Sequence, residues 1–316
     1  MTDSRMGQAT SLLNLVGNTP LIELSHLYPR AAIRIFAKLE GQNPSGSIKD
    51  RVVKAIVNAA ERRGDLSAGD TIVEASSGNT AIALAMVGKQ KGYNVHVVVP
   101  GGVAPSIGDI LAIMGVEITW CKSSGGLKSA IDAAREIAEV RKRHYYLGQF
   151  VDQINVETHY STTGREIVKA LPTVTTLVAG IGTGGTISGV GKCLKENNPG
   201  VQVVGVEPQM GERLQGLRNL DEGFVPELLD LGGLDRRFLV NSASAMKAAR
   251  KAFETEGVMA GVSSGAALHA AIRVADEMAS GDIVVMFADG AWKYLPSRPW
   301  AAAQKGSLEL DETYWW

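Results

Sequence analysis

The alternation of short β-branched segments with longer helical segments constrains the fold of this chain most strongly. Segments rich in Val, Ile and Thr are predicted strands at residues 33–39, 71–74, 95–99, 117–120, 175–179, 201–206 and 282–287. Apolar residues at helical spacing predict helices at residues 52–62, 80–89, 127–140, 243–256 and 266–279. Strand–helix alternation is typical of parallel sheets covered by helices on both faces. The sequence therefore predicts an α/β protein.

Length and charge exclude several classes of protein. The 316 residues suffice for two domains, and the formal net charge of −1 gives no reason to expect nucleic acid or an acidic membrane as a partner. Cys121 and Cys193 lack the spacing of a metal site or a disulfide scaffold, and such cysteine usage fits a reducing cytoplasm. The chain has no apolar run that could span a bilayer, and residues 1–10 lack the apolar core of a signal peptide. We expect a cytoplasmic protein without a metal site.

Two loops are candidate ligand sites, because ligands of such folds bind beyond the carboxyl ends of strands. Residues 74–80 and 179–186 each join a predicted strand to a predicted helix. In the second loop, bare backbone N–H groups and two hydroxyls are suited to a phosphate monoester at a helix start. These donors belong to Gly182, Thr183, Gly184, Gly185 and Thr186. The alternative is a glycine-rich turn that binds nothing.

Lys49 is the candidate catalytic residue. It lies just inside a predicted helix start, in the segment Asn-Pro-Ser-Gly-Ser-Ile-Lys-Asp-Arg at residues 43–51. A lysine can form an imine with a carbonyl cofactor, and partial desolvation lowers the pKa of its amine. Lys49 and the phosphate loop together predict pyridoxal phosphate and an enzyme acting on amino acids. The alternative is a solvated surface lysine, and we interpret Asp50 and Arg51 as a structural ion pair at the helix start.

Two serine-rich segments open predicted helices. In the segment Ser-Ser-Gly-Asn-Thr at residues 76–80, consecutive N–H groups and hydroxyls could bind a substrate carboxylate. The alternative is a helix N-cap, and both interpretations can hold at once. The segment Ser-Ser-Gly at residues 263–265 has the same capping alternative.

These motifs, in this order, resemble the cysteine synthase family, the β-replacement enzymes of pyridoxal-phosphate fold type II. The resemblance covers nearly the whole chain. Besides the segments above, it includes Gly-Asn-Thr-Pro-Leu at 17–21, Gly-Gln-Phe at 148–150, His159, Thr-Thr-Gly at 162–164 and Gly-Val-Ser-Ser-Gly-Ala at 261–266. It implies a tryptophan synthase β-like fold with two domains, each a mostly parallel twisted sheet covered by helices. Residues 1–40 and 148–316 would form the larger cofactor-binding domain, 41–147 a smaller mobile substrate domain, and 297–316 a C-terminal tail.

The resemblance also implies a role for each motif. Lys49 would hold the cofactor as an imine, Asn79 would bond its 3′ oxygen, and Ser263 would meet its pyridine nitrogen. Residues 182–186 would bind its phosphate. The residues expected to bind the substrate at its carboxylate are Ser76, Ser77, Gly78, Thr80 and Gln149. An activated serine would lose its β leaving group through an α-aminoacrylate, and a sulfur nucleophile would add to give L-cysteine. A homodimer is also implied.

Two further stretches, residues 216–228 and 289–295, are similar to the actinobacterial O-phosphoserine sulfhydrylases, which use the C-terminal thiocarboxylate of a sulfur-carrier protein. Arg218 would then bind the substrate phosphate, since a guanidinium suits a phosphate dianion better than an acetyl ester. The alternative is a salt bridge to Asp221 or Glu222. The tail Tyr-Trp-Trp at 314–316 would shield the cleft, or else pack on the surface.

Several positions depart from the family pattern and leave the nucleophile open. Ser76 stands where threonine is usual, Ala81 where glycine is usual, and Arg165 where proline is usual. O-Acetylserine remains possible as substrate. The same chemistry could instead take an amine, as in 2,3-diaminopropionate synthases, or dehydrate serine or threonine. From a different class, a catalytically silent relative that binds a partner enzyme is the remaining alternative.

Overall fold

The computed structural model describes residues 9–76, 78–101, 106–122 and 126–297. Its strands are β1 (Leu21–Glu23), β2 (Ile33–Leu39), β3 (Thr71–Ala75), β4 (Asn94–Val99), β5 (Glu117–Trp120), β6 (His144–Tyr146), β7 (Val174–Gly180), β8 (Gln202–Pro208), β9 (Arg236–Val240) and β10 (Gly281–Phe287). Its α-helices are α1 (Lys49–Arg63), α2 (Asn79–Lys91), α3 (Ser106–Ile113), α4 (Gly126–Val140), α5 (Ile154–Thr158), α6 (Arg165–Ala170), α7 (Gly185–Asn197), α8 (Ser242–Glu256) and α9 (Val262–Glu277).

The strands form two sheets. One has the order β1-β2-β10-β7-β8-β9, in which β1 pairs antiparallel to β2 and the remaining neighbours are parallel. The other has the order β5-β4-β3-β6 and is parallel throughout. Helices pack on both, and the predicted α/β class with mostly parallel sheets is confirmed. Within the described ranges, no helix has the length and apolar character needed to cross a bilayer.

All seven predicted strands are present, with ends that differ from prediction by two residues or fewer. The five predicted helices are also present, but α1 begins three residues and α9 four residues earlier than predicted. The earlier starts contain polar or small residues that carry no apolar periodicity. Three strands were not predicted: β1 and β6 have three residues each, too short to show alternation, and β9 begins with two arginines.

The sheets alone do not fix domain boundaries, so the division at residues 41–147 stays a prediction. The tail residues 298–316, with their Tyr-Trp-Trp end, lie outside the described residues. Ser297, the first residue of the predicted tail, ends a 3₁₀-helix that begins at Ala291.

A buried ion cluster fixes helix α1 to the rest of the molecule. The Arg51 guanidinium donates to both carboxylate oxygens of Glu40, at 2.7 and 2.9 Å, and to both of Glu166, each at 2.7 Å. The Lys38 ammonium lies 2.6 Å from Glu166 and donates to the carbonyl of Thr19. Two cations thus face two carboxylates with little exposure to water. In such a cluster, removing one group leaves its partner as an uncompensated buried charge, which is strongly destabilising. Because Arg51 is the third residue of α1, this cluster also holds Lys49.

Candidate active site

A cleft with two adjoining lobes lies where the carboxyl ends of β3 and β7 approach the start of α1. The lobes have volumes of about 540 and about 600 Å³, including the space at their open mouths. Residues common to both lobes are Lys49, Asn79, Gly182, Thr183 and Gly216. The structure therefore brings together predicted site residues from the lysine segment, the serine-rich loop and the glycine loop.

The segment before Lys49 is held against the end of β10. The Ile48 N–H donates to the carbonyl of Ala288 at 2.9 Å, and Ser47 forms a β-bridge with Asp289. Gly46 has a φ of +83°, and a Cβ there would lie 2.6 Å from the Trp292 ring. A glycine is needed at this turn for both reasons. Lys49 is the first residue of α1.

The environment of Lys49 favours a neutral amine. The pKa of its amine is lowered to about 8, mainly by burial; the Asp289 carboxylate opposes this shift and the nearby Arg218 cation adds to it. A lysine with an ordinary pKa of about 10.4 is almost fully protonated at neutral pH and cannot attack a carbonyl. Lys49 is therefore suited to form an imine.

We expect the rate at which pyridoxal phosphate attaches to the cofactor-free protein to rise as the pH increases through about 8. The physical reason is that the neutral amine is the reactive form and it is populated above its pKa. Stopped-flow absorbance between pH 6 and about pH 10 measures this. A rate that keeps rising up to the ordinary pKa of lysine would contradict a desolvated amine.

The glycine loop 182–186 leads from β7 into α7, which begins at Gly185. Gly184 has a φ of +85°. A Cβ at Gly182 would lie 2.5 Å from the carbonyl oxygen of Gly216, and one at Gly185 would lie 2.1 Å from Oδ1 of Asn155. Side chains are excluded here by neighbouring atoms, so the backbone can approach a ligand closely. The loop ends at the positive end of a 13-residue helix, where a phosphate binds well.

The two threonine hydroxyls of this loop are held by side chains from another part of the chain. Asn155 donates from Nδ2 to Oγ1 of Thr183 at 3.1 Å. His159 contacts Oγ1 of Thr186 through Nε2 at 3.2 Å and Oγ1 of Thr163 through Nδ1 at 3.0 Å. Burial, more than the nearby cations, holds the pKa of His159 well below its usual value, so the imidazole is neutral. In the sequence, His159 was recognised only as part of a family motif. The sequence did not predict that Asn155 contacts this loop.

Ser263 lies on the same lobe of the cleft as Lys49 and the glycine loop. Helix α9 begins at Val262 with Gly261 at its N-cap, so Ser263 lies in the first turn. The capping alternative for Ser263 is therefore wrong. The neighbouring Ser264 hydroxyl instead donates to the carbonyl of Asp289 at 3.3 Å.

The serine-rich loop lines the other lobe. The Ser76 hydroxyl accepts from the N–H groups of Gly78, at 3.2 Å, and Ala81, at 3.1 Å, whereas the N-cap position of α2 is Gly78. The Thr80 hydroxyl donates to Oε1 of Gln149 at 2.6 Å, so two predicted carboxylate-binding side chains bond to each other. Ser77 lies outside the described residues.

Glu74 lies directly beneath this loop and was not predicted from the sequence. It accepts from the N–H of Ala75 at 2.8 Å and of Gln149 at 3.1 Å. Burial raises the pKa of its carboxyl to about 7, although these donors oppose the shift. The only sequence signal was an acidic residue inside a buried strand, where charges are rare.

Arg218 enters the same lobe, and the salt bridge considered from the sequence is not formed. Its Nη1 donates to the carbonyl of Leu217 at 2.7 Å, while its buried Nε has no hydrogen-bond partner in the described part of the chain. Asp221 instead pairs with Arg237 at 3.0 Å, and Glu222 accepts from the N–H of Gly211. Burial lowers the pKa of the Arg218 guanidinium. A poorly solvated cation in a cleft is suited to an anionic ligand.

The ion pair predicted between Asp50 and Arg51 is wrong. Asp50 accepts from the backbone N–H of Ser45 at 2.7 Å and from the Ser45 hydroxyl. Arg51 belongs to the cluster with Glu40 and Glu166. Successive residues of a helix point about 100° apart, so each took a partner on its own side. Their structural rather than catalytic interpretation agrees with these contacts.

Asn79 belongs to a hydrogen-bonded network that the sequence did not predict. Asn79 donates from Nδ2 to Oδ2 of Asp289 at 2.6 Å, and the Lys293 ammonium donates to Oδ1 of Asn79 at 2.6 Å. The Tyr294 hydroxyl donates to the same Oδ2 of Asp289 at 2.5 Å. Asp289 follows the carboxyl end of β10, a position where ligand-site residues are common in such sheets.

The lysine, the glycine loop at a helix start and Ser263 fit the aldehyde, the phosphate and the ring nitrogen of pyridoxal phosphate. The fit depends on the sterically closed Gly182 and Gly185 and on the lowered pKa of Lys49. Fold and site together define a pyridoxal-phosphate enzyme of fold type II. Residues 12–289 match the sequence model of the family described as pyridoxal-phosphate dependent enzyme, and the chain belongs to this family.

Similar sequences and solved structures indicate which kind of pyridoxal-phosphate enzyme the chain resembles. The chain is 38% identical over 286 residues to the cysteine synthase of Staphylococcus aureus (strain N315), covering 87% of this chain and 91% of the relative. A crystal structure of O-ureido-L-serine synthase aligns with a TM-score of 0.90 at 30% identity, covering 95% of this chain and 98% of that one. The cysteine synthase of Entamoeba histolytica aligns with a TM-score of 0.88 at 30% identity, covering 97% and 95%. The chain is thus a cysteine synthase-like enzyme that depends on pyridoxal phosphate.

Proposed function

We propose that the protein catalyses β-replacement on O-phosphoserine, adding a sulfur nucleophile to form L-cysteine. The observation that supports this substrate best is Arg218, a partly buried cation whose buried Nε lacks a partner among the described residues. It shares a lobe of the cleft with Lys49, Thr80 and Gln149. A phosphate dianion would supply the missing acceptors through charge-assisted hydrogen bonds, which a neutral acetyl ester does only weakly.

The remaining residues have separate tasks in this proposal. Thr80, Gln149, Gly78 and the Ser76 segment bind the substrate carboxylate, and Asn79 bonds the cofactor's 3′ oxygen. The cofactor's phosphate binds to the N–H groups and hydroxyls of residues 182–186. The hydroxyl of Ser263 meets the ring nitrogen without forcing it to carry a proton, and this favours loss of a β leaving group over transamination.

Bound pyridoxal phosphate supplies an electron sink for charge that develops at the substrate Cα. Lys49, freed by the substrate amine, removes the Cα proton as a general base and holds it on Nζ. Arg218 binds the leaving phosphate and stabilises its charge. After the nucleophile has added to the β carbon, the Lys49 ammonium returns the proton to Cα. A pKa near 8 lets one amine perform both transfers near neutral pH.

The proposal extends to the assembly and the sulfur source. We propose a cytoplasmic homodimer in which residues 41–147 move as the smaller domain. The sulfur donor is the C-terminal thiocarboxylate of a small carrier protein, as the stretches 216–228 and 289–295 suggest. Free sulfide is the simpler donor to compare with it.

The likeness to O-ureido-L-serine synthase supports a second candidate, in which the same elimination is followed by attack of a nucleophile other than sulfur. Ala81 also supports it, since this buried residue stands beside the serine-rich loop where the family pattern has glycine. Offering sulfide, a carrier thiocarboxylate and small amines to the enzyme after elimination distinguishes the two candidates. The nucleophile consumed fastest identifies the reaction.

Replacing Arg218 with alanine should lower kcat/KM for O-phosphoserine by about a hundredfold, because hydrogen bonds to a charged group contribute about 1.5–3 kcal/mol. The value for O-acetylserine should change by less than about threefold, since that ester offers no dianion to the guanidinium. Steady-state kinetics with both esters and serine measure this. Arg213→Ala, at an exposed position of the same segment, is the matched control. Equal losses for both esters would remove the reason to prefer the phosphate.

A further inference from the structure

We propose that Lys293 and Asp289 are positioning residues that fix the side-chain amide of Asn79 so that its nitrogen can donate to the cofactor. The inference rests on the proposed function, in which Asn79 bonds the cofactor's 3′ oxygen. Asn79 is the first residue of α2 and lines both lobes of the cleft. Lys293 and Asp289 follow β10 and line neither lobe, so they act through Asn79.

The chemistry of the two partners allows one orientation of the amide. An ammonium group only donates hydrogen bonds and a carboxylate only accepts them. Lys293 Nζ therefore requires the amide oxygen, at 2.6 Å, and Asp289 Oδ2 requires the amide nitrogen, also at 2.6 Å. Rotating the amide by 180° would set two donors against each other and two acceptors against each other. The amide nitrogen carries two hydrogens: Asp289 accepts one, and the second can be donated to the Tyr294 hydroxyl or to the cofactor.

Asp289 is itself held firmly. Its side chain is buried, and its Oδ2 also accepts from the Tyr294 hydroxyl at 2.5 Å. Its backbone carbonyl accepts from the N–H of Gly261 at 3.1 Å. Burial raises the pKa of its carboxyl, whereas the Tyr294 and Asn79 donors and the ammonium groups of Lys293 and Lys49 favour the carboxylate. The acceptor that orients Asn79 is therefore anchored at both its backbone and its side chain.

Lys293 adds an electrostatic effect to the orientation. Burial lowers the pKa of its amine, whereas the Asp289 carboxylate and the Trp292 ring, whose centre is 5.4 Å away, favour the ammonium. A cation on the amide oxygen draws electron density from the amide and makes the remaining N–H a stronger donor, as in other hydrogen-bonded chains. A stronger donor favours the deprotonated 3′ oxygen of the cofactor. Lys293 thus influences the ionic form of a group that it does not touch.

The test compares Lys293→Met with Lys293→Arg, using Lys251→Met on the exposed face of α8 as a control for loss of charge. In Lys293→Met we expect about tenfold weaker binding of pyridoxal phosphate, because the Asn79 amide is no longer held in the orientation that donates to the cofactor. We also expect the absorption band of the form with a protonated 3′ oxygen to grow at least about threefold relative to the main visible band. Lys293→Arg, which still donates, should stay within about twofold of wild type on both measures.

A second measurement needs no cofactor. A double-mutant cycle of Lys293→Met and Asn79→Ala on the unfolding of the cofactor-free protein should show non-additive effects, as expected for residues in contact. Additive effects would overturn the inference. The inference would also be overturned if Lys293 and Asn79 were coupled in unfolding but Lys293→Met had an unchanged spectrum and an unchanged cofactor affinity. The contact between the two residues would then only stabilise the fold. If the wild-type protein fails to bind pyridoxal phosphate, the proposed function fails and the inference fails with it. If the wild-type protein carries pyridoxal phosphate on Lys49 and the Lys293→Met variant has the wild-type spectrum, the inference is overturned and the proposed function stands.

Discussion

Replacing Lys49 with alanine is expected to lower kcat by at least about a thousandfold. The variant loses both the covalent attachment of the cofactor and the base that moves the Cα proton, and general acid–base catalysis alone contributes about 10²–10⁴-fold. The lost group is specific to this position, since burial and Arg218 lower its pKa to about 8 at the junction of the two lobes. Steady-state turnover with O-phosphoserine and O-acetylserine measures the loss.

Lys89→Ala, at an exposed position near the end of α2, serves as the control and should keep wild-type turnover. Borohydride treatment of the loaded wild-type protein followed by peptide mass mapping should place the cofactor on residue 49. An unmodified residue 49, or a Lys49→Ala variant with normal turnover and covalently held cofactor, would exclude the proposed mechanism.

Replacing Arg51 with methionine is expected to lower the free energy of unfolding by about 3–5 kcal/mol, because it leaves the buried Glu40 carboxylate without a cation and Glu166 with Lys38 alone. Arg51 and Glu40 have side chains that are 2% and 0% exposed, so water cannot replace the lost hydrogen bonds. Chemical denaturation of the cofactor-free protein measures the change.

Arg250→Ala is the matched control, because Arg250 pairs with Glu254 one helical turn away and both side chains are more than half exposed. Its effect should stay within about 0.5 kcal/mol, as is usual for exposed pairs of this spacing. An equally small effect in Arg51→Met would mean that water enters the cluster and solvates the two carboxylates. The cluster would then not be the element that holds α1.

Local sequence patterns predicted much of the fold because the central strands carry them in full. Strands β2, β7 and β10 have seven residues each, long enough to show their β-branched character. The glycine loop could be predicted equally well, because exposed backbone N–H groups at a helix start are typical of a phosphate site. The three-residue β1 and β6 gave no such pattern, and they were not predicted.

The contacts that tune the site could not be predicted, because they join residues far apart in the chain. Arg51 lies 115 positions from Glu166, and Asn79 lies 210 positions from Asp289. No local periodicity reports such a pairing. For the same reason the sequence assigned Arg51 to its neighbour Asp50, when tertiary packing had given each another partner. The pKa values of Lys49 and Glu74 likewise depend on burial, which only the folded chain defines.

The bond between Thr80 and Gln149 has a consequence for ligand selection. The Thr80 hydroxyl donates to Gln149 at 2.6 Å, and we propose that the substrate binds by replacing this bond. An α-carboxylate compensates for the separation by accepting hydrogen bonds from both. A decarboxylated analogue, such as a phosphorylated ethanolamine, would break the bond between Thr80 and Gln149 without accepting a hydrogen bond from either residue. Under this proposal the Thr80–Gln149 pair selects against simple amines, even those that carry the phosphate that Arg218 would accept.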